Sequence, residues 1–93
     1  MNPPTTSFID LATNSENTMP ADGWVWARGI SWTQTNISLN FENFTNGMKA
    51  HYCVVNNNSA ASMLMPVKRG DKISKLYQEA GFTDIVYRFY RNS

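Results

Sequence analysis

The pair of residues closest to a catalytic arrangement is His51 and Cys53, the only histidine and the only cysteine of the chain. A cysteine nucleophile needs a base within hydrogen-bond reach and a third group that orients the base. Residues i and i+2 of a strand point in parallel about 7 Å apart, which is poor geometry for that proton transfer. We therefore interpret the two residues as a buried thiol and an ordinary histidine, and we predict no catalytic residue.

The acidic side chains are scattered singly along the chain, so their spacing suggests no pair for general acid and base catalysis. Asp22, Asp71 and Asp84 fall at predicted turns, where an aspartate side chain hydrogen-bonds the nearby backbone. The sequence contains neither the spacing of metal ligands nor a glycine-rich phosphate loop. We expect no metal and no cofactor, and we expect that the protein is not an enzyme.

Three tryptophans, Trp24, Trp26 and Trp32, lie within nine residues of sequence. Trp24 and Trp26 share one face of a strand, and Trp32 shares it too unless Gly29 forms a bulge. One interpretation places these rings in the core and at an interface between subunits. The other places one ring near a loop, where it stacks on a sugar beside asparagine and threonine side chains. The second interpretation predicts a ligand site at Trp32, Thr33, Asn36 and Asn57.

Aromatic residues near the end of the sequence point to self-association. Tyr87, Phe89 and Tyr90, together with Tyr52, provide more aromatic surface than one thin sandwich needs. Tyrosine is favoured at interfaces because its ring is apolar and its hydroxyl can stay hydrated. We predict that these four residues form an interface between copies of the chain.

Length and composition favour the same conclusion. A chain of 93 residues buries only about 60% of the surface that its unfolded form exposes, so its core is marginal. A single cysteine excludes an internal disulfide, and oligomerisation is the remaining common remedy. The net charge of +1 provides no field that would favour nucleic acid or an anionic membrane. The chain has no apolar run of about 18 residues and no signal-peptide pattern, so we expect a soluble protein.

Two similar corners organise the predicted strands. In the first, Pro20, Asp22 and Gly23 favour a turn, with a positive φ expected at Gly23, and the aromatic strand Trp24–Trp32 follows. In the second, the turn 68–71 separates Met65-Pro66-Val67 from Ile73. Pro66 is expected at an edge or at a strand end.

The remaining elements are predicted mainly from alternation. The segment 37–42 alternates with Ile37, Leu39 and Phe41 inward, and Asn46-Gly47 is a strong hairpin signal to a partner strand, 48–56. In the closing strand, Ile85, Tyr87 and Phe89 share one face. The segment 71–81 is ambiguous, since Ile73, Leu76, Tyr77 and Ala80 would also share one face of a helix; we favour a strand. The other predicted strands span 7–11, 61–67 and 84–91.

The sequence thus predicts an all-β chain, a compact antiparallel sandwich or jelly roll of about eight short strands. Residues 1–6, with consecutive prolines, are expected to form a linker or an edge of the chain, and residues 7–93 one domain.

Four blocks of sequence together resemble a domain of tailed-phage and prophage virion proteins that is often found at the end of tail fibres or head fibres. They are Ser7-Phe8-Ile9-Asp10-Leu11, Met19-Pro20-Ala21-Asp22-Gly23-Trp24, Met65-Pro66-Val67-Lys68-Arg69-Gly70-Asp71 and Tyr87-Arg88-Phe89-Tyr90. Their order and spacing cover nearly the whole chain after Thr6. The helix-like run 75–80 departs from the alternating strand that is usual in the family.

The resemblance implies a jelly roll similar to the heads of C1q and tumour necrosis factor, assembled as a homotrimer with aromatic side chains near the three-fold axis. It implies a location in the virion, but members of the family bind different things, so no ligand residue is carried over from them. Our own hypothesis is that the domain is a fibre tip that contacts a host cell-surface polysaccharide. Two alternatives remain open. In the first, the domain is a purely structural trimerisation cap or a head decoration, without ligand recognition. In the second, it is a lectin-like module that does not come from a virus.

Overall fold

A computed structural model describes residues 4–92 of the chain, with side chains described from Ser7 onward. These residues form nine β-strands and no helix. In chain order, β1 to β9 span Pro4–Asp10, Asn17–Thr18, Gly23–Ser31, Ile37–Glu42, Lys49–Val54, Ser59–Val67, Lys72–Ile73, Tyr77–Gln78 and Phe82–Asn92. Because there is no helix in this range, no described segment crosses a membrane as a helix.

The strands pair antiparallel in three sheets. The largest has the order β1-β9-β3-β6, the second has the order β5-β4-β8, and β2 pairs with β7. The radius of gyration of 13.1 Å is close to the value of about 12 Å expected for a folded chain of this length. The prediction of a compact, all-β, antiparallel chain is confirmed.

The hydrophobic core lies between the four-stranded and the three-stranded sheet. Along β4 the inward residues Ile37, Leu39 and Phe41 are buried, as the alternation predicts. From β9, Tyr87 places its ring 5.5 Å from the ring of Phe41, and its hydroxyl donates a hydrogen bond to the carbonyl oxygen of Ser74 at 2.7 Å. Burial raises the pKa of Tyr87 far above its usual value, so this phenol stays protonated and keeps donating.

The two corners predicted from the sequence are hydrogen-bonded to each other. The Met19 amide donates to Asp71 O at 2.9 Å, and the Gly70 amide donates to Met19 O at 2.8 Å. Asp22 Oδ1 accepts from the Arg69 amide at 2.9 Å. The corners therefore hold residues from the first and last thirds of the chain together, and Gly70, at φ +87°, provides the positive φ of the second turn.

The positive φ expected at Gly23 is wrong. The described glycines with positive φ are Gly47, Gly70 and Gly81, whereas Gly23 is the first residue of β3. Its role is close approach: a Cβ there would collide with the carbonyl oxygen of Tyr90 and lie 2.8 Å from Cε1 of Phe89.

The ambiguous segment 71–81 contains no helix, as we favoured, but its strand is broken into the two short pieces β7 and β8. The backbone amides of Ser74 and Leu76 donate to Glu42 O and Thr13 O, so they bond to other segments of the chain instead of to a helical turn. The four residues that would have shared a helix face do not share an environment: Ile73 and Leu76 are buried, and Tyr77 and Ala80 are exposed.

At the start of the chain, β1 begins at Pro4 and pairs with β9 from Pro4 opposite Asn92. The strand therefore includes residues 4–6, which the sequence assigned to a linker. Residues 1–3 of that linker, and Ser93 at the other end of the predicted domain, lie outside the described residues.

Candidate functional site

The outer side of the four-stranded sheet carries a surface of large rings. In β3, residues 23, 25, 27, 29 and 31 are buried, so Trp24 and Trp26 point to the outside and are half-buried. Trp24 is the register partner of Tyr90, which is the partner of Phe8, and Trp26 is the partner of Leu64. Directly opposite residues share a face. We call these five residues, Phe8, Trp24, Trp26, Leu64 and Tyr90, the aromatic face.

Contacts within the aromatic face orient its rings. The Tyr90 ring centroid lies 5.7 Å from that of Phe8 and 6.4 Å from that of Trp26. The guanidinium of Arg88 lies 4.0 Å from the Phe8 ring centroid, which is a cation–π distance. Hydrogen bonds to the side chains of Tyr90 and then Asp10 raise the pKa of Arg88, so the cation is permanent. Because Arg88 Nε lies 3.1 Å from Asp10 Oδ1, the charge beside the Phe8 ring belongs to an ion pair.

Much of this apolar surface remains in water. Phe8 is 45% exposed and Leu64 is 54% exposed. The aromatic face occupies two rows of outward residues, each about 6.6 Å along the strands, across four strands about 4.8 Å apart, which gives about 250 Å². An apolar patch of a few hundred Å² on one chain is often an interaction site. In addition, Trp24 Nε1 and Arg28 Nε are buried without a hydrogen-bond partner among the described residues.

The structure places the tryptophans differently from the core position that we considered. A bulge does occur as anticipated at Gly29, since the register of β3 with β9 shifts between Arg28 and Ile30. Trp24 and Trp26 nevertheless lie outside the core, and Trp32 follows the end of β3 with 51% of its surface exposed.

The four predicted interface residues separate into two groups. Tyr90 belongs to the aromatic face, and Tyr52 is 45% exposed on the edge strand β5. Tyr87 and Phe89 are 3% and 2% exposed, buried within the chain itself. Their position corrects our expectation, because the chain's own core already covers both rings. Of the four predicted residues, Tyr90 and Tyr52 are the two that the core leaves accessible.

The four predicted ligand residues lie in two loops at one end of the molecule. Trp32, Thr33 and Asn36 are exposed between β3 and β4, and Asn57 is exposed between β5 and β6. Ser31 and Ser59 are register partners at the base of these loops, which brings the loops side by side. Asn36 adopts a left-handed conformation, φ +57°, that asparagine tolerates better than most residues.

The outer side of the three-stranded sheet is polar. Asn40 of β4 has His51 and Tyr77 as register partners on its two sides, and Ser38 has Cys53. We call these five residues the polar face. Cys53 is exposed, not buried as predicted, because it points away from the core. Among residues 4–92, no three His, Cys, Asp or Glu side chains are grouped closely enough to hold a metal ion.

A groove of about 400 Å³ runs along one side of the polar face. We call it the Tyr77 groove; its walls include Asn14, Ser38, Asn40, Lys75, Tyr77 and Glu79. Tyr77 is 41% exposed, and Lys75 Nζ lies 5.2 Å from its ring centroid. The groove combines a flat ring with amide, hydroxyl, ammonium and carboxylate groups. Sequence reasoning missed it, because its walls come from three separate segments of the chain.

Glu79 fixes one end of the groove. Its Oε1 accepts hydrogen bonds from the Ser38 amide at 2.9 Å and from Ser38 Oγ at 2.7 Å. These two bonds, that from the hydroxyl first, lower the pKa of Glu79, with a smaller contribution from the charge of His51. The carboxylate therefore stays ionised at neutral pH and anchors the short strand β8 to β4.

Comparison of the chain with protein-family models, with curated proteins and with solved structures finds no match in any of the three. The assignment of function therefore depends on the residues and the geometry described above.

Proposed function

We propose that this chain is a non-enzymatic module of a tailed-phage or prophage virion, a homotrimeric jelly roll at a fibre tip that contacts a glycan of the host cell surface. The observation that carries the assembly part is the aromatic face, an apolar surface that a single chain leaves in water. The virion part rests on the four sequence blocks that resemble fibre-tip domains.

The size of the chain supports assembly. A stable interface buries about 800 Å² on each partner, about three times the area of the aromatic face. The face alone is therefore too small, and a second surface has to contribute. The edge strand β5 and its flanking turn provide one, since Phe44, Met48 and Tyr52 are 49%, 47% and 45% exposed.

The presence of two different apolar surfaces supports a ring rather than a two-fold dimer. A face that packs on its own copy gives a dimer, whereas a face that packs on a different surface gives a ring when the rotation closes. In a closed trimer, the aromatic face of each chain would contact the β5 edge of the next. Arg28 and Arg88 fit such a contact, because arginine is enriched at protein interfaces.

A matched pair of exposed aliphatic residues tests the assembly. Sedimentation of the wild type should give the mass of three chains, and Leu64→Lys should give monomers because it places a charge in the aromatic face. Val55→Lys is the control, since Val55 is 61% exposed and lies outside that face. A wild-type monomer at micromolar concentration, or a trimer unaffected by Leu64→Lys, would overturn the proposed assembly.

The alternative function is a cap or decoration protein that recognises nothing. Exposed Trp32, beside polar loop residues, favours attachment over this alternative. An array of bacterial surface oligosaccharides, probed with the assembled protein, separates the two. Binding to any of its glycans supports attachment, and a well-folded trimer that binds none supports the cap.

A further inference from the structure

We propose that the Tyr77 groove is a carbohydrate subsite that holds one uncharged pyranose unit of a polysaccharide. It would act in addition to the two loops that carry Trp32, Thr33, Asn36 and Asn57, which we call the Trp32 loops. This inference rests on the attachment part of the proposed function and assigns that activity to a second place on the chain.

The first observation is the exposed ring and its neighbours. Tyr77 and Asn40 are register partners on adjacent strands, so their side chains lie on one face about 5 Å apart at Cβ. Asn14 reaches the same groove from the loop before β2. A flat apolar ring with a few convergent polar groups is the composition of a small-ligand site. A pyranose matches it, with one C–H face against the ring and hydroxyls toward the amides.

The second observation concerns how the amides are used. In the described part of the chain, the side-chain amides of Asn17 and Asn43 form structural hydrogen bonds. Asn17 Nδ2 donates to Ala12 O, and Asn43 Nδ2 donates to Asp71 Oδ2. Asn14 and Asn40 make no hydrogen bond with their side chains within that same part, and both line the groove. Their donors and acceptors are therefore available to sugar hydroxyls without breaking an existing bond.

The third observation is the carboxylate at the end of the groove. Both hydrogen bonds from Ser38 end on Oε1 of Glu79, which leaves Oε2 to accept from a hydroxyl. Because Lys75 and Glu79 carry opposite charges in the same groove, the site has no net charge. That balance favours an uncharged sugar over a phosphorylated or acidic one.

A peptide is the competing occupant. The free edge of β8 could add a strand, but β8 is only two residues long. So short an edge offers too few backbone hydrogen bonds for strand addition, which relies on them for affinity. The exposed ring surrounded by polar groups is the stronger feature, and it favours the sugar.

The test uses the full chain on an array of oligosaccharides from bacterial capsules, O-antigens and wall polymers, followed by titration of each bound oligosaccharide. We expect Tyr77→Ala to lower the affinity at least about tenfold, whereas Tyr77→Phe keeps the ring and changes it little. The control is Val55→Ala, an exposed residue that lies outside the groove, the aromatic face and strand β5. Thermal unfolding and sedimentation verify that each variant is folded.

The outcomes of this test distinguish a failure of the groove proposal from a failure of the attachment function. Loss of binding in Tyr77→Ala, with binding retained in Tyr77→Phe, supports the groove. Binding that survives Tyr77→Ala but disappears in Trp32→Ala overturns the groove and leaves attachment through the loops. A folded wild type that binds no oligosaccharide overturns both the groove and the attachment function, while the assembly measured by sedimentation still stands. Binding only to peptides or only to charged sugars also overturns the groove as proposed.

Discussion

The two outer faces of the sandwich have opposite chemistry. The aromatic face joins residues of β1, β3, β6 and β9 in a surface of rings and arginines, whereas the polar face joins Ser38, Asn40, His51, Cys53 and Tyr77 on β4, β5 and β8. Apolar surface that stays exposed lowers solubility, but a hydrated polar face carries no such penalty. The difference suggests a division of roles, with one side covered by other copies and the other side free to meet a ligand.

The substitutions with the largest expected effect compare a core residue with a residue of the aromatic face on the same strand. Tyr87 and Tyr90 are both on β9, but Tyr87 points inward and Tyr90 outward. Tyr87→Asp should unfold the chain, because an unpaired buried charge costs about 3–5 kcal/mol and small domains have little more than that in total. Tyr90→Asp should remain folded but dissociate. Circular dichroism and sedimentation, applied to both variants, check this.

If Tyr87→Asp instead yields a folded monomer, the ring is not part of the core that the structure shows. A Tyr90→Asp protein that keeps the mass of three chains would show that the aromatic face lies outside the interface.

The next effect compares the two faces directly. Trp26 lies at the centre of the aromatic face, and Trp26→Ala should weaken assembly by about 2 kcal/mol or more per interface, as for a central aromatic anchor. Asn40→Ala, on the polar face, should leave the association constant within the error of the measurement. Sedimentation over a range of concentrations gives both constants. Equal weakening by the two substitutions would contradict the division between the faces.

The smallest effect lies on the polar face and depends on pH. Hydrogen bonds from Ser38 lower the pKa of Glu79 below its ordinary value of 4.5. The stabilisation is therefore present above pH 4.5 and is lost as the pH falls through the lowered pKa of the folded state. The protection factor of the Ser38 amide against hydrogen exchange should fall in that acidic range in the wild type, and Glu79→Gln should show no such step.

An acid step that persists in Glu79→Gln would assign the pH dependence to another group.

The sequence predicts the orientation of a strand correctly when the larger hydrophobic residues are on its core-facing side. In β4 the inward positions are Ile37, Leu39 and Phe41, so hydrophobic alternation identifies the core face. In β3 the outward positions are the tryptophans, and the inward ones include Ala27 and Gly29. Hydrophobicity alone favours the opposite orientation for β3.

The reason is that the core is filled from the facing elements. A Cβ at Gly29 would lie 2.9 Å from Phe82 Cδ1 and 3.0 Å from Ile85 Cδ1, so the side chains of β9 already occupy that space. The volume available to an inward residue depends on tertiary packing, which a local pattern does not contain. The same limit explains why Tyr87 and Phe89 were expected at an interface.

The two candidate sites, the Trp32 loops and the Tyr77 groove, also differ in how far the local sequence predicts them. The Trp32 loops are predicted from the sequence because a tryptophan stands there beside asparagine and threonine side chains in polar turns. The structure adds that Ser31 and Ser59 pair, which brings the two loops side by side. The Tyr77 groove combines Asn14, Asn40 and Tyr77 from distant parts of the sequence, and Tyr77 falls in the segment whose conformation was ambiguous. No local signal connects these residues before the strands pair.

The strand order of the large sheet has a consequence for synthesis in the cell. Phe8 and Tyr90 come into contact only when β1 pairs with β9. The complete aromatic face therefore does not exist on a nascent polypeptide until about residue 90 has left the ribosome. Such long-range closure also folds slowly, on a timescale of about milliseconds to seconds. Under the proposed assembly, each copy would therefore complete its own sheet before it could pair with another copy through this face.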